Sequence, residues 1–320
     1  MRVLITGASG FLGRALVAAF RAAGHDTVAF SRHAASSALA GATFDGDVRD
    51  TTAVARAMDG CDGVCHSAAL VSVWRRRRED FDDVNVGGLR RVLDAARSAG
   101  IRRIVYTSSF LALPPNGESA PACWNDYQRT KVAADRIAAD AAAAGAPLVR
   151  LYPGVIYGPG ALTEGNLVGT MVSDHLRGRL PGLVGADRLW SYAWVDDVAR
   201  GHVAAMERGR PGAGYRLGGE NAPQMRVFEI VRELTGRRLP RRLPAALASV
   251  VGGAGESWAR LTGRPPLLTA GTVRILTHDW AMDSAEAVGE LGYHIMPLRD
   301  GVARLVEQLG GGPRSPEHRA

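Results

Sequence analysis

Apolar residues fall in short unbroken runs near the start of the chain, and in helical spacing between those runs. Residues 2–6 (Arg-Val-Leu-Ile-Thr) form one run, and 25–30, 63–66 and 104–107 form others. Each reads as a strand buried on both faces. Amphipathic stretches reaching about Ala23, at 51–59, at 79–99 and at 126–144 lie between or after them, followed by a strand from Pro147 to Leu151. This alternation predicts an α/β fold built on a doubly wound parallel sheet. After Pro153 glycine and proline become frequent and the strands shorten. Helices are predicted near 165–178, 224–236, 243–262 and 298–309. The expected organisation is a sheet domain of 1–152 to which about 191–218 returns. A smaller C-terminal lobe comes from 153–190 and 219–309, with a flexible tail at 310–320.

The chain has 320 residues, 46% of them hydrophobic and 22% charged, which suits a large buried core and excludes a disordered or collagenous protein. Three cysteines (Cys61, Cys65 and Cys123) make no disulfide framework, so a reducing, cytoplasmic location is expected. No apolar run reaches the roughly 20 residues of a membrane helix, and no membrane association is expected. Met1-Arg2 before an apolar run has the outline of a signal peptide, but no processing site stands out and the glycines beyond it have another use.

Thirty-nine basic residues against 32 acidic give a net charge of +7. They are scattered, clustering only at Arg75–Arg78, Arg237-Arg238 and Arg241-Arg242, and read as solvated surface rather than a nucleic-acid track. One count matters more. Thirty-eight of the 39 are arginine, and the single lysine is Lys131. A lone lysine in such a chain suggests a place that needs a compact ammonium.

Gly7-Ala8-Ser9-Gly10-Phe11-Leu12-Gly13 sits between the first strand and the first helix. Glycines there allow a tight turn, and the helix start offers free N–H groups to a pyrophosphate. This predicts a Rossmann-type dinucleotide-binding domain. An acidic residue ending the second strand would bind a ribose 2′-hydroxyl; Ser31-Arg32-His33 stands there instead, which suits a 2′-phosphate and favours NADP(H) over NAD(H). Tyr127 and Lys131 are four apart on one helix face, where the ammonium is expected to lower the phenol pKa and reach ribose hydroxyls. Thr107-Ser108-Ser109 ends a strand 18 residues before the tyrosine and offers a hydroxyl to a substrate oxygen.

Together these residues resemble the extended short-chain dehydrogenase/reductase family, the NAD(P)-dependent epimerase/dehydratase proteins. The resemblance spans about 2–309 and includes Gly46-Asp47-Val48, His66-Ser67-Ala68-Ala69, Val84-Asn85-Val86-Gly87-Gly88, Arg150 to Gly160, Trp194 to Val198 and Tyr215 to Gly219. It is closest to the dihydroflavonol-reductase-like and 3β-hydroxysteroid-dehydrogenase-like branches. The resemblance implies a catalytic set of Ser109 (or Ser108), Tyr127 and Lys131 with Asn85 in support. Asp47 and Val48 fall at the adenine site, Ala68, Ala69 and Thr107 along the dinucleotide, and Pro153, Gly154 and Val155 beside the nicotinamide. It also implies a homodimer through 79–99 and 126–144.

Departures from the family narrow the chemistry. Phe110 and Leu111 replace the acidic pair of sugar-nucleotide dehydratases. Trp190 stands where epimerases carry a diphosphate-clamping arginine, and Trp194 where they carry a histidine. Losing that clamp suits an apolar or aromatic small-molecule substrate contacted by Trp190 or Trp194, with Tyr192 as a further candidate; the other reading is that both indoles are core packing. Cys61 and Cys65 lack a second pair, so no metal is expected. His66 reads as packing or a cofactor contact, and Asp196-Asp197 as a helix start. The leading expectation is an NADPH-dependent carbonyl reductase. The alternatives are a nucleotide-sugar epimerase holding its cofactor tightly and a non-catalytic NADP-binding sensor.

Overall fold

The computed structural model describes residues 1–310; the expectation for the tail falls almost wholly outside them. The first half lays down β1 (Arg2–Thr6), α1 (Phe11–Ala22), β2 (Asp26–Ser31), β3 (Ala42–Asp45), α2 (Thr51–Met58), β4 (Gly63–His66), α3 (Glu79–Phe81), α4 (Gly88–Ser98), β5 (Arg103–Thr107), α5 (Asp126–Ala143) and β6 (Leu148–Pro153). The second half adds β7 (Val155–Tyr157), α6 (Leu167–Leu176), β8 (Leu183–Val184), β9 (Leu189–Trp194), α7 (Val195–Arg208), β10 (Gly214–Leu217), β11 (Glu220–Pro223), α8 (Gln224–Thr235) and β12 (Arg242–Leu243). It ends with α9 (Ala245–Thr262), α10 (Ala270–Leu276), α11 (Ala285–Leu291) and α12 (Leu298–Gln308).

Seven parallel strands form the main sheet in the order β10-β6-β5-β4-β1-β2-β3. Successive residues of β1 point to opposite faces. Val3 and Ile5 enter the core beneath α1 and α7 with Leu16, Phe20 and Val105, while Leu4 packs on the other side with Leu89, Val92 and Ala134. Both faces are covered by helices, which is why the central strands β1, β4 and β5 are largely apolar rather than alternating. Strand order reverses between β1 and β4, opening a crevice at the carboxyl ends of the strands.

The segment 191–218 divides. Its α7 and β10 join the main sheet, but residues up to Trp194 belong to a small sheet, β11-β9-β7. The pattern also missed β3, a mostly exposed edge strand of Ala-Thr-Phe-Asp. The helical stretch at 79–99 is interrupted by a π turn at Asp82–Gly87. Among the described residues no helix is long and apolar enough to cross a membrane, and no group of three or more His, Cys, Asp or Glu could hold a metal ion.

Candidate active site

The turn after β1 is shaped by close approach. Gly7 has φ +73°, and a Cβ on it would lie 2.8 Å from the Ala68 backbone across the switch point. A Cβ on Gly13 would lie 2.1 Å from the Gly7 carbonyl oxygen. Gly10 starts α1 with no side-chain cap, so the first amides of the helix, at Phe11, Leu12 and Gly13, have no intrahelical partner. This cradle fits a pyrophosphate.

Around the crevice, Ser31 ends β2 with a buried, unpartnered hydroxyl, and Arg32 is exposed with no ion pair among the described residues. One carboxylate escaped the sequence reading: Asp45, paired with Ser31 in the β2–β3 register, accepts the Ala35 amide at 2.9 Å. Asp47 is gripped by Arg49 (2.7 and 3.0 Å), which holds its carboxyl below the usual carboxylate range; Val48 beside it is buried. Ala68 donates its amide to Thr6 Oγ1 (3.2 Å), and Ala69 follows it on the crevice side of β4. Pro153, Gly154 and Val155 link β6 to β7, where a Cβ on Gly154 would meet the Ser191 carbonyl at 2.5 Å.

The candidate catalytic residues lie at the end of β5 and the start of α5. Asn125 caps α5, accepting the Gln128 amide (2.8 Å), and so fixes the turn that carries Tyr127. Lys131 is 3% exposed; its Nζ donates to the Thr107 carbonyl (2.8 Å) and lies 5.1 Å from the Tyr106 ring centre. Burial lowers its pKa to about 8, opposed by Asp135 one turn along the helix. Tyr127 is only partly exposed, and burial raises its pKa to about 12, with the neighbouring Ser109 hydroxyl acting the other way. The sequence reading expected the opposite direction. Desolvation is the dominant cause, and the ammonium donates instead to the Thr107 carbonyl.

The two serines have different partners. Ser108 Oγ donates to Asp135 (2.8 Å), which also accepts from Tyr152 Oη (3.1 Å). Ser109 Oγ accepts the Leu111 amide (3.2 Å) and faces Tyr127. Asn85 sits in the π turn, a device common at functional sites. Its side chain accepts the Leu70 amide (2.7 Å) and donates to Thr130 Oγ1 (2.9 Å), beside Lys131. Thr107 spans the sheet: its carbonyl holds Lys131, while its hydroxyl pairs with His202 Nε2 on α7 (2.8 Å). His202 Nδ1 donates to the Val198 carbonyl (2.8 Å). His66 is buried against Thr6, and its pKa falls to about 3, so it stays neutral. Asp197 is likewise buried, tied to Arg200, His294 (3.0 Å) and the Met296 amide (2.8 Å), so it joins α7 to the segment before α12.

The aromatic expectation needs correcting. Trp190, Tyr192 and Trp194 are each 2% exposed, packed inside the second lobe with Tyr157, Phe228 and Trp280. Strand β9 is flanked by β7 and β11 and covered on both sides, so these rings are core rather than an open wall. The aromatic groups beside Ser109 and Tyr127 are instead Phe110 and Trp124. Both pack edge-on against Trp280 (ring centres 5.3 and 6.1 Å), and Trp124 also lies 4.2 Å from the His278 ring. The signal available in the sequence was that Phe110 directly follows Ser109 and Trp124 precedes Tyr127 by three residues.

The family described as NAD dependent epimerase/dehydratase matches residues 3–218. A protein named Sterol demethylase protein B, from Methylococcus capsulatus, is 32% identical over 309 residues, covering 91% of this chain and 93% of that one. A putative dihydroflavonol 4-reductase from Synechocystis is 29% identical, covering 94% and 92%. The solved structure of MoeE5 in complex with UDP-glucuronic acid and NAD has a TM-score of 0.75 at 26% identity, covering 96% of this chain and 98% of that chain.

Proposed function

The chain belongs to the NAD dependent epimerase/dehydratase family, and we propose that it is an NADPH-dependent oxidoreductase that reduces the carbonyl of a bulky, largely apolar or cyclic substrate. The observation that carries this is the meeting of Ser109, Tyr127 and Lys131 at the carboxyl edge of the main sheet, beside Phe110 and Trp124. The names of two relatives, a sterol demethylase component and a dihydroflavonol reductase, fit a polycyclic substrate.

The glycine turn and the start of α1 would hold the pyrophosphate, Ser31 and Arg32 the 2′-phosphate, and Lys131 the nicotinamide ribose. A nicotinamide held there in its reduced form would supply the hydride for the carbonyl carbon. Tyr127, protonated at neutral pH by virtue of its raised pKa, donates its proton to the substrate oxygen. Ser109 orients that oxygen. Lys131 offers positive charge to the phenolate that remains and restrains its rise in energy. Asn85 supports the start of α5 through Thr130, and Ser108 works with Asp135 behind the site rather than on the substrate.

An epimerase reading is weaker because Trp190, at the position of the diphosphate-clamping arginine, is enclosed in the core. The test is NADPH oxidation with a panel of bulky cyclic ketones and UDP-sugars. Turnover of ketones supports the reductase. Conversion of a UDP-sugar without net NADPH consumption, and inertness toward every ketone, overturns it.

A further inference from the structure

We propose that α9 is a docking surface for an anionic lipid bilayer. In a water-facing helix the large apolar residues turn inward; here they turn outward. Leu247, Val250, Val251, Trp258 and Leu261 are 58%, 70%, 59%, 62% and 83% exposed. At 100° per residue they fall, with Ala254, in a single stripe about 100° wide. The opposite face buries only Ala248, Gly252 and Ala259. That face is small for a reason: a Cβ on Gly252 would lie 2.9 Å from the backbone at Thr269 and Ala270. Leu267, 90% exposed, continues the apolar surface beyond the helix.

Charge says what covers the stripe. Exposed Arg237, Arg238 and Arg241 lead into the N-terminal end of α9. At the other end Arg264 follows the helix, and the Arg76 guanidinium lies beside Gly263, bringing in the Arg75–Arg78 run. Among the described residues Arg75, Arg76, Arg237, Arg238, Arg241 and Arg264 take part in no ion pair, while Arg242 and Arg260 have partners. The only acid of the helix, Glu256, points away from the stripe and accepts the Ala270 amide (2.7 Å). An apolar stripe with a tryptophan, basic groups at both ends and no outward acid matches a helix lying in the plane of an anionic interface. A second copy fits worse. Two-fold pairing of the stripe sets one basic cluster against another in either orientation, and like charges repel. The absence of a spanning helix does not bear on this, because such a helix lies on the bilayer rather than through it.

Placement adds a purpose. α9 packs on α10, and Gly271 of α10 is so close to the Trp124 carbonyl that a Cβ would lie 2.1 Å from it. The docking helix thus backs the aromatic wall of the cleft. The docking surface does not depend on the reductase activity.

The test is flotation of the full chain with phosphatidylcholine vesicles, with and without about 30% phosphatidylglycerol, at low and high salt. At least about tenfold more protein should float with the anionic vesicles at low salt, and salt should reduce it. The double variant Trp258→Glu/Leu261→Glu should lose at least about tenfold of that binding while melting like the parent, since both side chains are exposed. Arg75→Gln/Arg76→Gln/Arg264→Gln should weaken anionic binding and leave any residual binding to neutral vesicles. Failure of the parent to float, or undiminished flotation of the Trp258/Leu261 variant, overturns the proposal. So does a dimer in solution that the same variant converts to monomer, because the stripe would then be an interface between copies.

Discussion

Replacing Lys131 by methionine is expected to abolish turnover and, at neutral pH, to leave the fold no less stable than the parent. The ammonium is 3% exposed, and burial lowers its pKa to about 8 from an ordinary 10.5. Holding it charged at pH 7 therefore costs the folded state about 3 kcal/mol. Methionine is similar in length and avoids that cost, but it gives up the hydrogen bond to the Thr107 carbonyl, worth about 1.5–3 kcal/mol for a charged donor. The balance at pH 7 is a variant between level with the parent and about 2 kcal/mol more stable. The pH dependence is sharper. Between about 8 and 10.5 the unfolded chain keeps the lysine proton while the folded one has released it, so parental stability rises with pH through that window. The variant has no such group. Relative to the variant, the parent should gain about 2 kcal/mol between roughly pH 7 and pH 9.5. Since Lys131 is the only lysine, no other side chain of that class contributes. Urea unfolding of both proteins at the two pH values measures the difference directly. If the gap between them does not move with pH, the buried ammonium carries no desolvation cost and the reasoning fails.

Tyr127→Phe should lower kcat by roughly 10²–10⁴-fold with NADPH affinity nearly unchanged, and the parental reduction rate should be flat from about pH 6 to pH 7 and fall above about pH 8, where Lys131 loses its charge while the phenol, its pKa raised to about 12, stays protonated. A parental rate already falling with an apparent pKa near 6 would point to another proton donor. Arg32→Ala should weaken NADPH binding about tenfold and leave NADH untouched, while Ser31→Asp should favour NADH; titration of both cofactors checks this, and equal losses for the two would count against a 2′-phosphate site. Trp124→Ala should raise KM for a bulky ketone about tenfold with a smaller effect on kcat. An unchanged KM would remove Trp124 from the substrate wall.

What the sequence made legible was what local rules control. The run 2–6, the glycines at 7, 10 and 13 and the start of α1 form one continuous turn, so spacing alone located the crevice. The four-residue step from Tyr127 to Lys131 needed nothing but helical geometry. The choice between Ser108 and Ser109 was different, because it depends on which hydroxyl finds Asp135, a residue 27 positions away. Asp135 itself had a signal that went unused, since it lies one helical turn beyond Lys131. The tryptophans of β9 misled because a pattern of aromatics does not say whether one face of a strand is open or both are covered. For α9 the period correctly gave a helix but not which face turns inward, since that was settled by the close backbone at Thr269 and Ala270.

The burial of one amine also turns the molecule into its own reporter. A protease specific for lysine has a single cleavage point in the chain, after Lys131, and in the native fold that bond lies within α5 with its side chain enclosed. Cutting must wait for α5 to open, and would then yield two pieces, 1–131 and 132–320. The rate of that single cut measures how often the helix carrying Tyr127 leaves its place. Cofactors and ligands that hold the helix down would slow the cut in proportion to their grip, with no chromophore, label or turnover required.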